Sequence, residues 1–93
     1  MKFAFLIMGE YLPGDRAEIA GGNARIVGVR SVEDACAEAE KLQKSGVECI
    51  ELCGAFGKEG AEKVIAATGG KIPVGYVVHL PGQDGLYKEI FGE

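Results

Sequence analysis

The sequence predicts an α/β domain built on a small, mostly parallel sheet, and three observations predict it. Apolar stretches rich in β-branched residues recur at even spacing, at Arg25–Val29, Cys49–Cys53 and Pro73–Leu80. Two segments with helical periodicity stand between them. A further apolar run, Lys2–Met8, opens the chain. Strand–helix–strand–helix–strand is the pattern of βαβ units, whose crossovers are right-handed. The 93 residues make a single domain, 1–93.

Each element has its own local reason. Lys2–Met8 (KFAFLIM) is apolar at nearly every position, as a strand buried on both faces must be. Pro13-Gly14-Asp15 is a turn signal. Arg16–Ala20 reads as a short strand, which Gly21-Gly22-Asn23 turns into Arg25–Val29 as a hairpin. Ser31 caps the first helix, with Asp34 three residues on in a capping-box arrangement. Val32, Ala35, Cys36, Ala39 and Leu42 form its apolar stripe. Glu33 and Asp34 open that helix and Lys41 and Lys44 close it, matching the helix dipole, and Gly46 is placed to end it. Lys58–Thr68 is the second helix, with Ala61, Val64, Ile65 and Thr68 inward and Gly69-Gly70 as its stop. Asp84 caps a short last helix over Gly85–Phe91, apolar at Leu86, Tyr87, Ile90 and Phe91.

Alternation along the strands places Ile50, Leu52, Tyr76, Val78 and Leu80 on one set of side chains and Val27, Val29, Cys49, Cys53 and Val77 on the other. The first strand is apolar on both. If strand order runs steadily one way, both long helices land on the same face. The second face must then be hidden by the last helix, the loop of residues 10–22, or another subunit. An apolar sheet face left open is usually an interface, so the sequence predicts a homo-oligomer.

Composition narrows the function classes. Hydrophobic residues are 47% of the chain and charged residues 26%, ordinary for a globular protein. No run approaches the roughly 18 apolar residues that span a membrane. Met1–Met8 ends at Gly9-Glu10 with no small-residue cleavage site, so it reads as a strand rather than an export signal, which points to the cytoplasm. Net charge is −4 and the lysines alternate with acids, so no basic face exists to bind nucleic acid. Three cysteines without an export signal read as free thiols.

In open parallel sheets, ligands bind at the carboxyl ends of the strands. That rule selects Glu10, Arg30, Glu51, Cys53 and His79, with the loop Gly54-Ala55-Phe56-Gly57 beside them. Glu51 is a carboxylate inside the otherwise apolar stretch CIELC. Buried there it needs a partner or must be neutral, and a carboxyl so placed can act as a general acid or base. The plain structural alternative is an ion pair with Arg25, Arg30 or His79, or an exposed strand end. His79, the only histidine, could face Glu51 from a neighbouring strand, and such a pair orients an imidazole as base or ligand. A hydrogen-bonded structural histidine is the alternative.

Gly54, Phe56 and Gly57 lead into a helix start, where backbone amides attract anions. A tight strand-to-helix turn accounts for the same residues. Cys49 and Cys53 lie roughly 13 Å apart in a straight strand at about 3.3 Å per residue. They therefore cannot clamp one metal or form a disulfide together. Cys36 belongs to helix core, and Cys53 is either a small buried residue or a reactive thiol. No metal or cofactor motif is present.

The motifs IVGV-x-S-V-E-D-A (Ile26–Ala35), GVECIELCGAFG (Gly46–Gly57) and KIPVGYV (Lys71–Val77), together with KFAFLIMG, resemble a family of small uncharacterised bacterial and archaeal α/β proteins of about this length. Its most specific signature is IELCGxFG. That family is a domain of unknown function, so the resemblance implies a fold and no activity. Its pattern has a second glycine where this chain has Ala55, which narrows the approach to the loop. The same segment is also similar to strand ends of TIM-barrel enzymes, an analogy of fold alone.

Two functional readings follow. The leading one is a small anionic or carboxylate-bearing ligand bound at the strand carboxyl ends, in one arrangement at a subunit interface. Glu51 and His79 would then be tentative catalytic groups or polar anchors, and Glu10, Arg30, Cys53, Gly54, Phe56 and Gly57 would contact the ligand. The alternative is an oligomeric interaction module without small-molecule chemistry.

Overall fold

The computed structural model describes residues 1–92. Five strands form one sheet in the order β2-β3-β1-β4-β5. They are β1 (Phe3–Met8), β2 (Arg16–Ile19), β3 (Ala24–Val29), β4 (Cys49–Leu52) and β5 (Val74–Tyr76). The pairs β1–β3, β1–β4 and β4–β5 are parallel, and only β2 runs antiparallel, as the edge partner of β3. The mostly parallel α/β architecture and the β2–β3 hairpin are therefore present. The helices are α1 (Val32–Lys44), α2 (Gly57–Ala67) and α3 (Asp84–Phe91).

β1 is apolar throughout because it is the central strand. Met8 pairs with Val29 on one side, and Leu6 with Leu52 on the other. The register fixes which residues share a face. Leu6 stands level with both Val27 and Leu52, and Ala4 with Ile50. Ala4, Leu6, Val27, Val29, Ile50 and Leu52 thus point to one side, where α1 and α2 cover them and each is almost wholly buried. This corrects the grouping of Val27 and Val29 with Cys49 and Cys53. Alternation gives parity within a strand, but hydrogen-bond register between strands decides which parities coincide.

The two long helices pack on each other on that same face. Ser31 accepts the Asp34 backbone N–H at 3.0 Å as the cap, while the Asp34 carboxylate accepts the N–H of Arg30, the residue before the cap, at 3.0 Å, in place of the Ser31 N–H of a standard capping box. Thr68, buried at the end of α2, donates its hydroxyl to the Val64 and Ile65 carbonyls, while the Gln43 amide donates to the Thr68 carbonyl and ties α1 to α2.

The strand expected over Pro73–Leu80 is shorter. The last ladder bond runs from the Val77 N–H to the Leu52 carbonyl. β4 turns away after Leu52, so residues beyond Val77 have no strand to pair with. From Tyr76 to Gly92 every residue is exposed. The chain runs through a single 3-10 turn (Pro81–Gln83) into α3, which has no buried residue.

Leu52 is fully buried under the helices. Replacing it with alanine should cost about 2–5 kcal/mol by leaving a cavity. Chemical denaturation of Leu52→Ala checks this, and a near-neutral midpoint shift would contradict the packing described.

Candidate functional site

The carboxyl ends of four parallel strands meet on one rim. Met8 and Val29 are level, so Glu10 and Arg30 follow adjacent strand ends. The Cys53 N–H donates to the Leu6 carbonyl, and the Cys53 sulfur accepts the Met8 N–H at 3.3 Å. Gly54 sits against β5, where an added Cβ would come within 3.3 Å of the Val77 carbonyl oxygen. The rim therefore runs from Arg30 through Glu10 and Cys53 to Gly54. Glu10 and Arg30 are exposed, and Cys53 is half-buried.

The loop after β4 forms a 3-10 turn, Gly54–Phe56, and α2 begins at Gly57 with φ +63° and ψ −174°. No side chain caps α2. Phe56 turns inward and is buried beneath Gly60, so its ring serves the core and not the rim.

Glu51 faces the side of the sheet opposite the helices. Its row across the sheet reads Ala17, Ile26, Phe5, Glu51, Gly75. Gly75 makes room for it, since a Cβ there would lie 2.8 Å from Glu51 Oε1. The other carboxylate oxygen accepts from the Cys49 thiol at 3.8 Å. None of the ion pairs among the described residues involves Glu51.

His79 lies beyond the end of β5, and its partner is not Glu51. Its Nε2 is 2.6 Å from Asp84 Oδ1, and its ring stacks on Tyr87 at 3.8 Å between centroids. Tyr87 in turn stacks on Phe91 at 5.8 Å. The structure thus brings Glu10, Arg30, Cys53, Gly54 and Gly57 to one rim, sets Glu51 on the open sheet face, and gives His79 to the C-terminal segment. The partnership of His79 with Asp84 was not read from the sequence. The His-x4-Asp spacing ahead of an aromatic helix was its only signal.

The open face is the surface that sequence reasoning left undivided. Beside the row of Glu51 runs a second one, Ile19, Ala24, Phe3, Cys49. Phe3, Phe5, Ala17, Ile19, Ala24 and Ile26 line a shallow apolar groove of about 290 Å³. Tyr11 folds back over the far end of this face, where a Cβ on Gly28 would meet its Cγ at 2.6 Å. Edge strand β2 sorts its residues against the usual sense. Arg16 is on the helix side, paired with Glu38 of α1 at 2.9 Å, and Glu18 lies 3.9 Å from Arg25. Ala17 and Ile19 point to the open side, where Ile19 is 72% exposed.

Two thiols are shifted. Burial pushes the Cys49 thiol above its ordinary value, and the Glu51 charge and hydrogen bond push it the same way. Burial also raises Cys36, as do Glu33 and Glu40, against a smaller lowering by Lys63. Among the described residues no three His, Cys, Asp or Glu side chains come together as a metal cluster, and no helix is long and apolar enough to cross a membrane. All three cysteines are free.

The thiolate is the form that alkylates, so a raised pKa slows Cys49 at neutral pH and its rate climbs as the pH rises. Glu51→Gln removes the charge beside the thiol and should speed alkylation of Cys49 at pH 7.5 several-fold, read by peptide mapping after iodoacetamide. An unchanged rate would mean that Glu51 does not act on this thiol.

No curated protein matches the chain, and no solved structure does. One family profile matches, over residues 1–92, and its description is a family of unknown function.

Proposed function

The chain belongs to the family of unknown function DUF6506, and because that membership carries no activity, we propose from geometry that it is a self-associating module whose working surface is the open sheet face. One observation carries this reading. A five-stranded sheet covered by helices on one side presents two rows of mainly apolar side chains on the other, extending to edge strand β2. An apolar surface of that extent is costly to leave in water and marks an interaction site. The polarity of β2 supports the same conclusion. A strand that was to stay solvated on its outer side would carry Arg16 and Glu18 there, and Ala17 and Ile19 inward. A second copy of the chain is the simplest partner, since closed homo-oligomers bury the same patch on each subunit.

The test is the mass in solution. Wild-type protein should sediment as an oligomer at micromolar concentration. Ile26→Glu, which puts a charge in the centre of the groove and touches no helix-side core residue, should halve the mass or reduce it further while keeping the circular dichroism spectrum. A monomeric wild type, or an unchanged Ile26→Glu mass, would refute the reading.

The rim favours a second reading, a small anionic ligand. The first amides of α2 have no side-chain cap, and Arg30, on the same rim two strands away, makes no ion pair among the described residues. Amides at a helix start together with a guanidinium are a donor set for an oxyanion. Inorganic phosphate and acetate are the probes. Either should raise the melting temperature of the wild type by a few degrees and that of Arg30→Ala by less. Equal shifts in both proteins would remove Arg30 from the site, and no shift in either would remove the site.

A further inference from the structure

Beyond Val77, whose N–H makes the last ladder bond, the described residues neither join the sheet nor reach the core. Every residue from Tyr76 to Gly92 is exposed. Among them Val78 is 72% exposed, Leu80 76%, Ile90 77% and Phe91 72%. α3 packs chiefly on the turn that precedes it. Leu86, Tyr87, Ile90 and Phe91 fall on one side of α3 by their spacing, so the helix is amphipathic with its apolar stripe facing water. An isolated helix of this length is not stable in water. What orders it is local: the His79–Asp84 contact and the His79–Tyr87–Phe91 stack fold the segment onto itself. A segment ordered in this way but packed on nothing is shaped for a partner.

We propose that Val78–Phe91 is an exchange arm, which leaves its own subunit and docks across the open sheet face of a second copy of this chain. The inference rests on the reading of that face as a self-association surface, and it names what covers it. Three observations favour a second copy. The first is area. A compact chain of 9.8 kDa exposes about 5,200 Å². This chain exposes 6046 Å². The excess is comparable to the roughly 800 Å² that each partner buries in a standard interface. The radius of gyration, 13.5 Å, likewise exceeds the about 12.3 Å of a compact chain of this length.

The second observation is placement. The arm leaves the sheet from the carboxyl end of β5, one edge strand. The groove lies on β2, β3 and the start of β1, toward the other edge. The two edge strands are four strand spacings apart, about 19 Å, and α3 does not run back along that path. The third is complementarity. The arm presents the apolar stripe Leu86, Tyr87, Ile90 and Phe91, and the open face presents the apolar residues Phe3, Phe5 and Ile26, so each offers the surface the other must bury. A two-fold dimer lets each subunit give one arm and receive one, satisfying both unpartnered surfaces at once.

Full-length variants test this by complementation. The arm variant carries Leu80→Glu and Ile90→Glu, both at exposed positions, and the face variant carries Ile26→Glu. Each alone should have half the wild-type mass by sedimentation. Mixed in equal amounts they should recover a dimer, because the intact arm of the face variant meets the intact face of the arm variant. If the arm variant keeps the wild-type mass while Ile26→Glu loses it, the arm is not the occupant and only the open-face reading survives. A monomeric wild type overturns both. Two monomeric variants whose mixture stays monomeric mean that arm and face do not meet across subunits, which also overturns the exchange. Should the double arm variant fail to fold by circular dichroism, Ile90→Glu alone replaces it in the same mixture.

Discussion

Both long crossovers step across the sheet in the same direction. β3 leads through α1, past the central strand, to β4, and β4 leads through α2 to β5. Right-handed connections that advance the same way must lie on the same side. That constraint puts α1 and α2 together, concentrates the core between them and the row Val27, Leu6, Leu52, and leaves the opposite side of the sheet to be dealt with by other means. The domain has no third long helix to spend on it. Its last helix is short and stands away from the body, and Tyr11 covers only the end near Gly28. The surface on which the functional reading depends is thus a consequence of topology.

The same constraint explains how the candidate groups divide. Residues just past the strand ends gather on the rim because the strands run parallel, and backbone pairing of Cys53 with Leu6 and of Val77 with Leu52 holds them there. Glu51 lies one residue inside the end of β4, with a parity that sends it to the open side. There a glycine on β5 gives its carboxylate space and Cys49 gives it a thiol donor. It is the one carboxylate in an apolar field. If a second copy covers that field, Glu51 becomes a buried charge that needs a partner, since an uncompensated charge in an interface is strongly unfavourable.

Much of this was legible before any coordinates. The capping residues Ser31 and Asp34, the stripe of Ala35, Ala39 and Leu42, and the apolar continuity of β1 are local signals, and each element formed where they stand. The placement of both helices on one face followed from the crossover rule once a strand order was assumed. Two expectations fail where pairing between strands decides. Val27 and Val29 lie on the side of Ile50 and Leu52 rather than of Cys49, because inter-strand register is a pairing property that no single strand encodes. Residues 78–80 read as strand because their composition is that of a strand. Whether an apolar segment becomes one depends on a neighbour with free backbone groups, and β4 had already turned away.

By itself the sequence determined the elements, the parallel βαβ grammar and the rim where strand ends converge, because helix caps, periodicity and turn chemistry act over a few residues. With a strand order that advances one way it also implies an apolar face without a long helix, since right-handed crossovers in one direction lie on one side. Tertiary structure alone decided which residues make up that face, that His79 answers to Asp84 rather than Glu51, and that residues 78–92 stand clear of the body. Those outcomes depend on register and on the competition among distant groups for the same partners, and both are settled only when the whole chain is folded at once.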